Sequence, residues 1–140
     1  MQGVPDVTFG FHLCRGNQGS RWLVEGGYDL IARPIFERIR ADRLLLEYDD
    51  ERSGSFEPLR YVPDDKVVVL GLVTTKRPAL ETPEELIRSI REAGRYVPLE
   101  RLALSPQCGF STSIVGNQLS VEDEKRKLKL ICETAQRVWA

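Results

Sequence analysis

The chain has 140 residues, 41% of them hydrophobic and 29% charged, with a formal net charge of -1. That length suits one globular domain over residues 1–140 with a core of its own. The charge balance gives no basic excess for nucleic acid, and the longest apolar run, Val67 to Leu70, is far too short to cross a bilayer. The N-terminus has no charged segment followed by an apolar one, so no signal peptide is expected. The three cysteines, Cys14, Cys108 and Cys132, are too few and too widely spaced for a disulfide framework. They suit a reducing, cytoplasmic setting, where thiols serve more often as metal ligands or reactive groups.

In chain order, the first predicted strand is Asp6 to Cys14. Alternation puts Val7, Phe9, Phe11 and Leu13 on one face and Thr8, Gly10, His12 and Cys14 on the other. A Gly-rich loop follows, from Arg15 to Gly27. In it Trp22, with Tyr28 just beyond, reads as a packing anchor, and Arg15 and Asn17 as residues that shape the loop. A helix is expected from about Tyr28 to Arg40, burying Leu30, Ile31, Ile35, Phe36 and Ile39. The second strand is Arg43 to Tyr48. The acidic run Asp49-Asp50-Glu51 reads as solvated loop, and a short segment lies around Phe56 to Tyr61.

The third strand, Lys66 to Val73, is a continuous β-branched run of the kind covered on both faces in a parallel sheet. The next helix has a clear start in Thr82, Pro83 and Glu85, and runs to about Tyr96 with Leu86, Ile87, Ile90 and Ala93 inward. The fourth strand is Arg101 to Ser105. The last helix starts near Ser120, with Leu128, Ile131, Cys132, Ala135, Val138 and Trp139 inward, which makes Cys132 a small core residue. Strands alternating with helical segments imply parallel pairing. An eight-unit (β/α) barrel needs roughly 250 residues, so these four units amount to half of one. The other candidate, a small open α/β sheet, lacks its Gly-rich phosphate turn here.

Reactive groups in such folds gather at the C-terminal ends of the strands. His12 and Cys14 end the first strand, Glu47 ends the second, and Cys108 follows the fourth in the loop Ser105-Pro106-Gln107-Cys108-Gly109. His12 and Cys14 are two residues apart and share a face. Taken singly, each has an ordinary reading: Glu47 as an ion-pair partner of Arg43 or Arg52, Cys108 as a buried loop thiol. Together they make one imidazole, two thiols and one carboxylate, a set that favours zinc over magnesium or calcium. Ser111 and Thr112, just past Cys108, either line a pocket or cap a helix.

The strings FHLCRGN, LLEYDDERSGSFEPLR, VVVLGLVTTKRP and LALSPQCGFSTSIVGN, followed by VEDEKRKLKLICETAQRVW, resemble the cobalamin-independent methionine synthase family over nearly the whole chain. The likeness is to the C-terminal half of its TIM-type catalytic barrel. It implies a catalytic Zn2+ held by His12, Cys14, Glu47 and Cys108. It also implies a transferase of methionine biosynthesis, moving a methyl group from 5-methyltetrahydropteroyl-glutamate to the thiol of homocysteine, with no residue beyond the metal site acting covalently. Looser relatives alkylate other thiols, including coenzyme M, and a non-catalytic or degenerate zinc-binding half barrel is the alternative. The residues that would bind the amino acid and the folate are not among these strings. Half a barrel leaves open edges near Phe9 and Ala103, so a homodimer or a complementary N-terminal half-barrel chain is expected. The extent of the match suggests a gene fragment or a split enzyme.

Overall fold

A computed structural model of the chain describes residues 6–140. Four parallel strands form one sheet in sequence order: β1 (Gly10–Leu13), β2 (Arg43–Glu47), β3 (Val67–Val73) and β4 (Leu102–Pro106). The register carries rows straight across it. Phe11, Leu44, Val68 and Leu102 make one row, and His12, Leu45, Val69 and Ala103 the next. Because side chains alternate, these rows face opposite ways. The helices cover the first face, where Leu44, Leu46, Val68, Leu70 and Leu102 pack against Tyr28, Phe36, Leu86, Ile90, Leu130 and Ile131. The other face carries His12 and is only partly covered among the described residues. This is the expected α/β half barrel, with β1 and β4 as its two edges.

Three helices flank the sheet: α1 (Ala32–Phe36), α2 (Pro83–Ala93) and α3 (Val121–Trp139). Helix α2 starts where its capping box predicts, with Thr82 Oγ1 accepting from the Glu85 N–H at 3.2 Å. Ser120 and Asp123 form the same box on α3. No helix of the described residues is long and apolar enough to cross a membrane.

Several expectations need correction. β1 is shorter than Asp6–Cys14: Asp6 has φ +62°, outside the extended region, and Cys14 has already left the strand. Helix α1 does not span Tyr28 to Arg40. Pro34 is tolerated only in a first turn, so the helix cannot reach back to Tyr28. Its inward residues are Ala32 and Phe36, with Tyr28 buried ahead of it, while Leu30 is 92% exposed and Ile31 is also exposed. After β2 the chain makes two 3-10 turns, Glu51–Ser53 and Glu57–Tyr61, the second of them the short segment expected around Phe56 to Tyr61.

Helix α3 is rotated from the expected face. Asp123, Lys127, Leu130, Ile131 and Thr134 point inward, and Leu128 and Cys132 are exposed. The cause is Lys127, whose buried ammonium donates to the Ala79 carbonyl at 2.7 Å and to Glu81 at 3.3 Å. A cation satisfied from the β3–α2 loop can take an inward position that hydrophobic periodicity denies it. Asp49 and Asp50 are likewise not solvated. Their side chains are buried and pair with Lys76.

Candidate metal centre

The ends of β1, β2 and β4 deliver the four expected side chains to one place. The donor atoms of His12, Cys14, Glu47 and Cys108 all lie within 4.8 Å of one another. The Cys14 and Cys108 sulfurs are 4.0 Å apart, and His12 Nε2 is 3.3 Å from Glu47 Oε1. Two thiolates on one tetrahedral zinc would stand about 3.8 Å apart, and a nitrogen and an oxygen about 3.4 Å, from their usual bond lengths. Glu47 is fully buried, and its Oε1 makes no well-formed hydrogen bond: it only faces His12 Nε2 across that gap. A buried carboxylate oxygen without a donor is costly unless a cation meets it. Donor chemistry, spacing and this orphaned oxygen all suit zinc.

Each residue is placed by local backbone. Glu47 closes β2, where the Tyr28 hydroxyl accepts from its N–H at 2.9 Å and donates to its carbonyl at 3.3 Å. Glu47 Oε2 accepts from the Arg15 N–H at 3.2 Å and from Arg52 Nη2 at 3.0 Å. Cys14 begins a turn in which Gly16, at φ +74°, donates its N–H to the Cys14 sulfur at 3.3 Å. Cys108 follows a tight crossing of β3 and β4. A Cβ on Gly71 would lie 2.8 Å from Gln107 Cα, so glycine is needed there. Gln107 is pinned by Thr75, whose N–H and hydroxyl both donate to its side-chain oxygen.

Without metal the charges compensate one another. Cys108, then Glu47, lying against its ring, push the His12 imidazole up to about 10, against the opposing effect of burial. The same His12 contact holds the Cys108 thiol below its ordinary value. Burial pushes the Cys14 thiol up, more than the Gly16 N–H offsets. Burial also works against ionisation of Glu47, but His12 and Arg52 outweigh it and hold the carboxyl down.

Of the loop residues, Arg15 and Asn17 shape the site. The Arg15 guanidinium lies 4.3 Å over the Tyr28 ring, and Asn17 accepts from Arg52. Tyr28 is a buried anchor, while Trp22 is exposed. Thr112 does not cap a helix; it donates to the Asn17 carbonyl at 3.2 Å and so ties the Cys108 loop to the Cys14 loop. Asn117, unremarked in the sequence, reinforces that tie through Ser20, Thr75 and Gly109. Arg52, not Arg43, is the partner of Glu47, because Arg43 lies at the opposite end of β2. A cavity of 310 Å³ opens beside the donors, lined by His12, Leu45, Leu46, Pro106, Gln107 and Cys108 among others.

The profile described as cobalamin-independent synthase, catalytic domain, matches residues 24–136. The uncharacterized protein YxjG of Bacillus subtilis is 53% identical over 135 residues, which are 96% of this chain and 36% of that protein. A methionine synthase of Thermococcus kodakarensis is 29% identical over 110 residues, 79% of this chain and 29% of that one. A solved structure from Listeria monocytogenes, described as a putative vitamin-B12 independent methionine synthase, superposes with a TM-score of 0.72 at 33% identity, over 99% of this chain and 37% of that one. The chain thus spans about a third of the length of the relatives it matches. The profile covers most of the chain and the solved relative shares its strand order, and the chain belongs to the cobalamin-independent methionine synthase family.

Proposed function

We propose that this chain is the metal-holding half of a zinc-dependent methyltransferase, which moves a methyl group from a 5-methyltetrahydropteroyl-glutamate to the thiol of homocysteine and so forms methionine. The observation that carries the reading is the meeting of one imidazole, two thiols and one carboxylate within 4.8 Å, from three strand ends. His12, Cys14, Glu47 and Cys108 would hold the ion. Zinc in such a site supplies a Lewis acid that lets an incoming thiol exist as thiolate at neutral pH, where a free thiol is mostly protonated. The chain's own residues set the conditions. Cys14, Cys108 and Glu47 together carry three negative charges as ligands, which keeps the site electron-rich. His12 binds through a neutral ring nitrogen, so uptake of the ion by this site falls as pH drops. Leu45 and Pro106 give the adjoining cavity an apolar lining suited to a small thiol.

The half-covered face of the sheet and its two free edges support a second part of the reading: four further strands close the barrel over His12, supplied by a complementary chain or a second copy. The test has two arms. Metal analysis of the untagged chain should return one zinc per chain, and a methionine-forming assay with homocysteine and a methylated folate should show turnover once the barrel is complete. Zinc without turnover would leave a metal-binding half barrel. Absence of zinc at saturating supply would remove the reading altogether.

A further inference from the structure

Arg52 is fully buried, and its guanidinium meets groups from three stretches of chain. Nη2 donates to Glu47 Oε2 at 3.0 Å and to Asn17 Oδ1 at 3.1 Å, and Nη1 donates to the Gly16 carbonyl at 3.4 Å. Nε lies 3.3 Å from Asp50 Oδ1, which also accepts from the Arg52 backbone N–H. The other Asp50 oxygen faces Lys76 Nζ at 2.8 Å, and Asp49 holds that same ammonium. Charges of alternating sign thus run from Lys76, just past β3, through Asp50 and Arg52 to Glu47 at the end of β2.

We propose that Arg52 is the positioning residue of the metal centre: one guanidinium locks the Glu47 carboxylate to the Cys14 turn, and the Asp50–Lys76 pair locks the guanidinium. This rests on the zinc reading above. Two consequences follow from the contacts. Arg52 and the Arg15 N–H both occupy Glu47 Oε2, which leaves Oε1 as the oxygen facing His12. Gly16 and Asn17, the residues that close the Cys14 turn, hang on the same group, so the carboxylate and the sulfur cannot drift independently. Lysine cannot replace this fork, because its ammonium is a single point with no planar spread of donors. The contacts that orient metal ligands from behind typically govern affinity by about 10–100-fold.

The test is zinc affinity of the full chain by competition with a chromophoric chelator, for wild type, Arg52→Lys and Asp50→Asn. The absorption spectrum of the cobalt-loaded protein is a second readout, and thermal unfolding of each metal-free variant establishes that it is folded at the titration temperature. Arg52→Lys should bind zinc about 10–100-fold more weakly and shift the cobalt bands, and Asp50→Asn should fall between it and wild type. A purely structural ion pair would lower the unfolding temperature and leave affinity and spectrum of the folded variants at wild-type values; that result overturns the proposal. If Arg52→Lys does not fold, Asp50→Asn decides by the same criterion. A wild-type chain that takes up no zinc overturns the zinc reading and this proposal together, and is distinguished by the wild-type titration alone.

Discussion

Gly71→Ala is the most discriminating single change, because it reaches Cys108 without touching it. A methyl group at position 71 would sit 2.8 Å from Gln107 Cα, 3.0 Å from the Leu46 carbonyl oxygen and 3.2 Å from the Pro106 carbonyl oxygen. All three neighbours are backbone, so no side chain can swing aside. Carbon–carbon contact becomes comfortable near about 3.5 Å. β4 must therefore back away from β3 by about 0.7 Å at the residue before Cys108. Overpacking of this kind costs about 1–3 kcal/mol, or about 3–10 °C in the unfolding midpoint of a chain this size. The displacement also exceeds the tolerance of about 0.5 Å within which a preorganised site keeps its geometry. Zinc affinity should fall at least about tenfold. Thermal unfolding of the metal-free chain and chelator competition measure the two effects separately. An alanine variant with wild-type midpoint and wild-type affinity would show that the tight β3–β4 crossing does not place Cys108.

Other outcomes follow from the same contacts. Cys108→Ser removes one of four donors, about a quarter of the roughly 10–16 kcal/mol that a zinc site of this kind supplies; affinity should drop about 10²–10³-fold, while Cys132→Ser, on the exposed side of α3, should leave it unchanged. Thr82→Ala breaks the α2 capping box and should cost about 1 kcal/mol in a urea titration, with no change in its slope. The Ser120 N–H, then its hydroxyl and Arg126, hold the Asp123 carboxyl down to about 2, against about 3.9 in an unfolded chain. The folded value is the lower one, so this cap stabilises α3 above about pH 4, and its contribution is lost as pH falls through about 2. Asp123→Asn should therefore lose less stability than wild type between pH 5 and pH 2, and equal losses would contradict that assignment.

Much of the fold was legible in the sequence because its strands announce themselves. Val67–Val73 and Arg43–Glu47 are short apolar runs bounded by polar residues, and the capping boxes at Thr82 and Ser120 mark two helix starts. The gathering of His12, Cys14, Glu47 and Cys108 was legible because parallel order places strand ends together. What escaped has a common cause. Lys127, Asp49 and Asp50 are charged residues whose side chains the fold buries in pairs, and hydrophobic periodicity reads every charge as solvent-facing. Lys127 turned the face of α3 and put Cys132 outside. The pairing of Asp50 with Lys76 spans loops that sequence distance keeps apart. Pro34 was visible, but the apolar run around it outweighed its effect on where α1 could begin.

X-ray absorption at the zinc edge, on the full wild-type chain loaded with one equivalent, addresses the central claim most directly. Two sulfurs at about 2.3 Å and two nitrogen or oxygen ligands at about 2.0–2.2 Å are expected. A shell of nitrogen and oxygen alone, or a single sulfur, would mean that Cys14 and Cys108 do not share the ion.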